Sequence, residues 1–154
     1  MIAVRITKNF HEIDVSLPRL RKLVRAVCRR FNLSKATVGI AILDDAQIRK
    51  LNAQFLNRRR TTDCLSFDLS DDEAPHSPRL FELVVNGQMA VRQAGLRGHS
   101  CEAELALYVI HALIHNLGLD DLTPRQARKM HDTEDQILQQ SGYGVVYNQK
   151  SRRR

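Results

Sequence analysis

His111-Ala-Leu-Ile-His115-Asn-Leu-Gly118-Leu-Asp120-Asp121 sets two imidazoles four residues apart in an apolar run and a carboxylate just past a glycine. Residues four apart on an α-helix lie about 40° apart around its axis, so His111 and His115 project side by side and can reach one ion. A third ligand must come from outside that helix. Gly118 supplies the route, because a glycine just past a helix end adopts a left-handed conformation without strain and lets the chain bring Asp121 back over the pair. Two imidazoles and one carboxylate leave a fourth tetrahedral position for water, the open geometry of a hydrolytic zinc centre. The simpler alternative, two core histidines hydrogen-bonded to backbone, does not account for the Gly and Asp that follow. Ala112 stands where the H-E-x-x-H metalloprotease signature has its glutamate, which argues against a peptidase using that base.

Working outward, Ser100 can cap the helix that carries the pair, and Glu102 and Glu104 suit its positive first turn. Leu105, Leu107, Val109, Ile110, Leu113 and Ile114 surround His111 with apolar packing. Thr123-Pro124 opens a last helix that runs to about Gln140 and closes at Gly142. Upstream, Leu80–Asn86 reads as a strand followed by a helix bearing Met89, Val91 and Ala94 and ending near Gly95 or Gly98. Ile2, Val4 and Ile6 alternate with smaller or polar residues as a first strand does, and Val38, Ile40 and Ile42 repeat the pattern. Between them Ser16 and Pro18 begin a helix with Leu20, Leu23, Val24, Val27 and Phe31 on one side and Arg21, Arg25 and Arg29 on another. Asp44 or Asp45 caps a helix with Ile48, Leu51, Phe55 and Leu56. The strand Cys64–Leu69 follows, and residues 70–79, with two prolines and several acidic residues, read as a mobile surface loop in which His76 is not a ligand. Four strands and five helices fit one α+β domain over residues 1–148, with 149–154 a basic disordered tail.

The chain has 154 residues, enough for one core, and 43% are hydrophobic. It lacks Trp, and only 5% of residues are aromatic, so stacking platforms for bases are scarce and nucleic-acid binding would lean on charge. That charge is available: 24 Lys and Arg against 17 Asp and Glu give a net +7, which favours a polyanionic partner. Arg58-Arg59-Arg60 concentrates three guanidiniums on a connection between a helix and a strand, and loops on a rigid scaffold commonly carry function; phosphate contact is the favoured reading. Cys28, Cys64 and Cys101 form no C-x-x-C pair and suit a reducing cytosol as small buried hydrophobes. No apolar run approaches the roughly 18 residues of a membrane span, so the expectation is a cytoplasmic protein without membrane partners.

These residues resemble the YbeY family of single-strand-specific metallo-endoribonucleases, whose signature is H-G-x-L-H-L-x-G-x-D-H. Asn52-Ala-Gln-Phe-Leu followed by Thr62-Asp-Cys-Leu-Ser-Phe67 is similar to the family's N-x-x-[YF]-R and T-D-V-L-S-F blocks, and Phe81–Asn86 to its G-D-I-x-[IV]-[SN] strand. Met130, Glu134 and Leu138 fall where its last helix has such residues. The resemblance covers about residues 40–142. It implies a single α+β domain with helices around a mixed four-stranded sheet. It also implies one Zn²⁺ or another divalent transition metal, cleavage of single-stranded RNA, 3′-end maturation of small-subunit ribosomal RNA and late ribosome quality control, with the ribosome or assembly factors as partners.

Two positions depart from the pattern. Asp121 stands at the family's third histidine, where a carboxylate is a competent ligand that raises the pKa of a ligated water and favours harder ions. Leu56 stands at the family's arginine and cannot supply its charge; Arg58 is the first replacement to consider, then Arg59 and Arg60. Asp120 and His131 are fallback ligands, more simply surface or capping groups. Glu82 falls where the family has aspartate but reads equally as an exposed strand residue, so the general base is unassigned. The leading reading is an endoribonuclease with His111, His115 and Asp121 on the metal and Arg58–Arg60 on RNA. An RNA-binding assembly factor with weakened catalysis, or a small metallohydrolase acting on another ester or amide, are the alternatives.

Overall fold

Period-two apolar alternation and capped amphipathic helices produce, in the computed structural model, the order β1 (Ile2–Lys8), α1 (Leu17–Arg30), β2 (Ala36–Leu43), α2 (Asp45–Leu56), β3 (Cys64–Asp68), β4 (Arg79–Asn86), α3 (Gly87–Arg97), α4 (Cys101–Asn116) and α5 (Pro124–Gln140). The structure describes residues 1–58, 60–73 and 77–144. Arg59, His76 and the expected tail 149–154 lie outside them. The four strands form one sheet in the order β1-β2-β4-β3. β1 and β4 run parallel to β2, and β3 runs antiparallel to β4 at the sheet edge. This is the expected mixed α+β architecture.

The two faces of the sheet are covered unequally. Val38, Ile40, Ile42, Phe81, Leu83 and Val85 point into the main core, where they meet Leu20, Val24 and Val27 of α1 and the length of α4. Eleven of the sixteen residues of α4 are buried, which makes it the central helix and explains why its sequence is apolar nearly all round. The opposite face carries a smaller cluster, Leu43, Ile48, Leu65 and Val84, beneath α2. Arg19 ties the main layer together by pairing with Glu102 at 2.6 Å and donating to the Gly142 carbonyl at 2.7 Å.

Caps set the boundaries. Asp44, rather than Asp45, caps α2 through a reciprocal box with Gln47. Thr123 and Gln126 form the same box at α5, with Pro124 in the first turn. Gly98, rather than Gly95, ends α3, in the left-handed conformation. The expected loop over 70–79 is displaced by one residue: β3 ends at Asp68 rather than Leu69, although Leu69 N–H still donates to the Leu80 carbonyl, and Arg79, whose N–H donates to the Lys35 carbonyl, already belongs to β4. Of the three cysteines expected in the core, Cys28 is buried, and its pKa is pushed up to about 11 by burial, whereas Cys64 and Cys101 are half-buried.

Candidate metal centre

α4 packs against β4 and the edge strand β3, and its last two turns carry His111 and His115, with Asp121 just beyond the helix end. Gly118 has φ +103°, a conformation open to glycine, and Leu119 N–H returns to the Ile114 carbonyl at 3.1 Å. The reversal brings Asp121 to both histidines: its two carboxylate oxygens lie 3.8 Å from His111 Nε2 and 3.8 Å from His115 Nε2. The imidazoles stand edge to face with centroids 4.7 Å apart. One donor atom from each residue lies within 4.8 Å of the others, so the three form a group that could hold a metal ion. Ligands of a tetrahedral zinc are separated by about 3.3 Å, so small side-chain rotations close the site.

The donor set also has the support a metal site needs. Glu134, fully buried on α5, accepts from His111 Nδ1–H at 2.7 Å, which leaves Nε2 directed at Asp121. A carboxylate on the far nitrogen fixes the tautomer and ring orientation of a metal-binding histidine. Burial of His111 lowers its pKa, but the hydrogen bond and charge of Glu134 and the charges of Asp63 and Asp121 outweigh this, and the net shift is upward. Glu134 also accepts from His131 Nδ1 at 2.9 Å, and the His131 ring stacks parallel to that of His111 at 6.4 Å. His131 is therefore neither a surface group nor a helix cap; its side chain is 19% exposed and lies behind the candidate ligands. Asp120 is half exposed and stands 3.8 Å from His115 Nδ1, the nitrogen turned away from Asp121.

His111, Thr62 and Asp63 line two adjoining clefts, of which the larger takes in the whole trio and the smaller only His111. The larger, of about 570 Å³, runs along β3 past Leu56, Arg58, Phe67, His115 and Asp121. The smaller, of about 340 Å³, reaches Gln93, Arg97, Tyr108 and Glu134. Arg58 thus shares the cleft with Leu56, as the spacing suggested. Arg60 is exposed, and its carbonyl accepts from the buried Asn52 amide at 2.7 Å. Glu82 is elsewhere: it projects from the α2 side of the sheet, opposite Gly39 in register, and pairs with Arg5 at 3.5 Å. Its reading as a surface strand residue holds.

Sequence reasoning gave no role to Asp63 or Glu134. Asp63 accepts from Cys64 N–H at 2.8 Å and from the Thr62 hydroxyl at 3.2 Å, so its carboxylate is held at the entrance to β3. Burial, then the charge and hydrogen bond of Asp63, push the Cys64 thiol well up, which keeps it from acting as a thiolate. The loop that delivers Asp63 is pinned by the buried Asn86 amide, which donates to Asp45 at 2.7 Å, to the Thr61 hydroxyl at 3.1 Å and to the Thr62 carbonyl at 3.1 Å. Arg92 pairs with the same Asp45 at 2.9 Å.

The hydrogen bond from Arg92 is the largest influence on Asp45; burial opposes it, and bonds from Asn86 and Thr61 add to it, so the carboxyl pKa is lowered from 3.8. A lowered folded-state pKa contributes stability that is fully present above the unfolded value and is lost as pH falls through the folded one. Asp45→Asn is therefore expected to flatten the loss of stability below pH 3.8, measured as denaturant midpoints from pH 5 to pH 2. A slope equal to that of the wild type would show that Asp45 carries no such linkage.

The family profile described as Endoribonuclease YbeY matches residues 5–142. Among curated relatives named Endoribonuclease YbeY, one from Nocardioides sp. is 32% identical over 86% of this chain and 93% of its own length. Another, from Desulforamulus reducens, is 34% identical over 92% of this chain and 98% of its own. The solution structure of TM1509 from Thermotoga maritima superposes with a TM-score of 0.64 at 21% identity, covering 90% of this chain and 88% of that one, a likeness of fold. With the ordered motif blocks, the two clefts and the His-His-Asp group on one continuous match, this chain belongs to the YbeY family.

Proposed function

We propose that the protein is a metal-dependent, single-strand-specific endoribonuclease that acts in the cytoplasm on ribosomal RNA, in 3′-end maturation of the small-subunit RNA and late ribosome quality control. The observation that carries the reading is the convergence of His111, His115 and Asp121 on the wall of the larger cleft, with Glu134 holding the first of them in a ligating tautomer. Zn²⁺ suits two imidazoles and a carboxylate; another divalent transition metal would be accepted by the same donors. When bound, such an ion supplies Lewis acidity at a phosphoryl oxygen and lowers the pKa of a water.

The chain's own residues do the rest. Arg58 faces the cleft from the loop after α2 and neutralises phosphate charge that Leu56 cannot. Arg60, exposed on the same loop, adds to that positive charge, and Arg59, which lies outside the described residues, stays a candidate for phosphate contact. Of the carboxylates lining the clefts outside the ligand trio, Glu134 is buried and committed to two imidazoles, which leaves Asp63 to accept a proton from the attacking water. The water oxygen bonds to phosphorus as one phosphodiester P–O bond breaks and its oxygen departs with the RNA fragment.

The substitution at Leu56 favours one second reading, an assembly factor that binds RNA without cutting it. The two separate in one experiment. A chelator is expected to abolish cleavage of a single-stranded RNA and one equivalent of divalent metal to restore it, while Arg58→Ala lowers kcat/KM by about 100-fold. Salt-sensitive RNA binding with no metal-restorable cleavage would leave the assembly factor as the function.

A further inference from the structure

The chain has five Phe and three Tyr and no Trp, yet two of those Phe are placed together at the rim of the candidate site. Phe55, near the end of α2, and Phe67, on the edge strand β3, stand edge to face with centroids 5.9 Å apart. Phe55 is 59% exposed and its neighbour Leu56 46% exposed, and both are large apolar groups. Phe67 is half-buried: part of it packs on the Leu65 and Val84 cluster, and part lines the larger cleft with Leu56, Arg58, His115 and Asp121. β3 has a neighbour on one side only, so this flank of the cleft is open.

We propose that Phe67 and Leu56, backed by Phe55, form a shelf that holds one unpaired nucleobase beside the phosphate bound at the trio. The inference rests on RNA being the substrate and names the feature of RNA the site selects. An apolar surface continuous with a cleft that also holds a guanidinium matches a nucleotide, which offers a flat apolar face and an anion a few ångströms apart. The net charge of +7 favours the same polyanion. In a duplex both faces of a base are covered by its neighbours, so only an unstacked base can use the shelf, and single-strand preference follows from contact rather than from exclusion alone. Leu56 fits this assignment. Where the family pattern has arginine, this chain has an apolar side chain in the cleft, adding to the shelf while Arg58 retains the charge.

The test is binding of a short single-stranded RNA carrying 2-aminopurine, in the presence of a chelator so that cleavage plays no part. Stacking on the wild type is expected to change the probe's fluorescence. Phe67→Ala should weaken binding at least 5-fold and abolish the change, whereas Phe67→Tyr, which keeps the ring face, should restore both. Leu56→Ser, at an exposed helix end, should weaken binding about 3-fold and leave affinity for a blunt RNA duplex unaltered; it keeps the test decisive if Phe67→Ala does not fold. Unchanged affinity and fluorescence in a folded Phe67→Ala protein, or in Leu56→Ser where Phe67→Ala does not fold, would overturn the shelf. Binding with the expected signal but without metal-restorable cleavage would sink the nuclease reading and leave the shelf standing; cleavage with no effect of these substitutions would do the reverse.

Discussion

Asp121→Ala is expected to release the metal and lower RNA cleavage by on the order of 10³-fold, the rate equivalent of several kcal/mol of transition-state charge stabilisation. The two remaining imidazoles lie on one turn of α4 and reach an ion from one side only, because Asp121 is the donor that approaches from beyond the helix end. Folding should be nearly unaffected, since the Asp121 side chain is 39% exposed and its neighbours are in the turn. Asp121→His is the informative companion. It keeps a third donor but removes a negative charge, so metal should be retained and the rise of cleavage rate with pH should move to lower pH, because a carboxylate ligand raises the pKa of the nucleophilic water. Elemental analysis of dialysed protein and a pH–rate profile check both. Full metal retention in Asp121→Ala would place the third ligand elsewhere.

Glu134 carries the second large effect. Its carboxylate is buried and engages two imidazoles at 2.7 and 2.9 Å. Glu134→Gln preserves shape but removes the charge that orders His111, and divalent-metal affinity is expected to fall by about 10- to 100-fold with little change in fold. Glu134→Ala should also destabilise the protein by on the order of 3 kcal/mol, because it opens a cavity and removes the acceptor of the partly buried His111 Nδ1–H. Metal titration and denaturant unfolding of the two variants separate the roles. Equal metal affinity in Glu134→Gln and wild type would confine Glu134 to holding α5 against α4.

Much of this could be read along the chain because it depends on local chemistry. The i, i+4 histidines share a helix face by geometry alone, and Gly118 announces a turn that an L-residue would resist. Asp44, Ser100 and Thr123 cap helices through bonds three residues away, and each helix begins where its cap stands. The alternation in β1 and β2 marked strands with one face toward the main core.

Side-chain orientation between distant elements was not local and could not be read. Glu82 occupies the family's aspartate position, but the pleat turns it to the α2 side of the sheet, away from α4, and period two says only that neighbours alternate, not which face meets the site. His131 looked like a surface group because its sequence neighbours are charged; only the packing of α5 on α4 shows that it shares Glu134 with His111. Asp63 and Phe67 reach the cleft because β3 is the edge strand beside α4, a fact of strand order. The sequence by itself determined the helices and strands, the turn that returns Asp121 and the donor types available to a metal, since these follow from residues within one or two helical turns. Tertiary structure alone decided which buried carboxylate supports the candidate ligands and which aromatic lines the larger cleft, because both depend on contacts between elements separated by twenty or more residues, where burial and strand order set the partner.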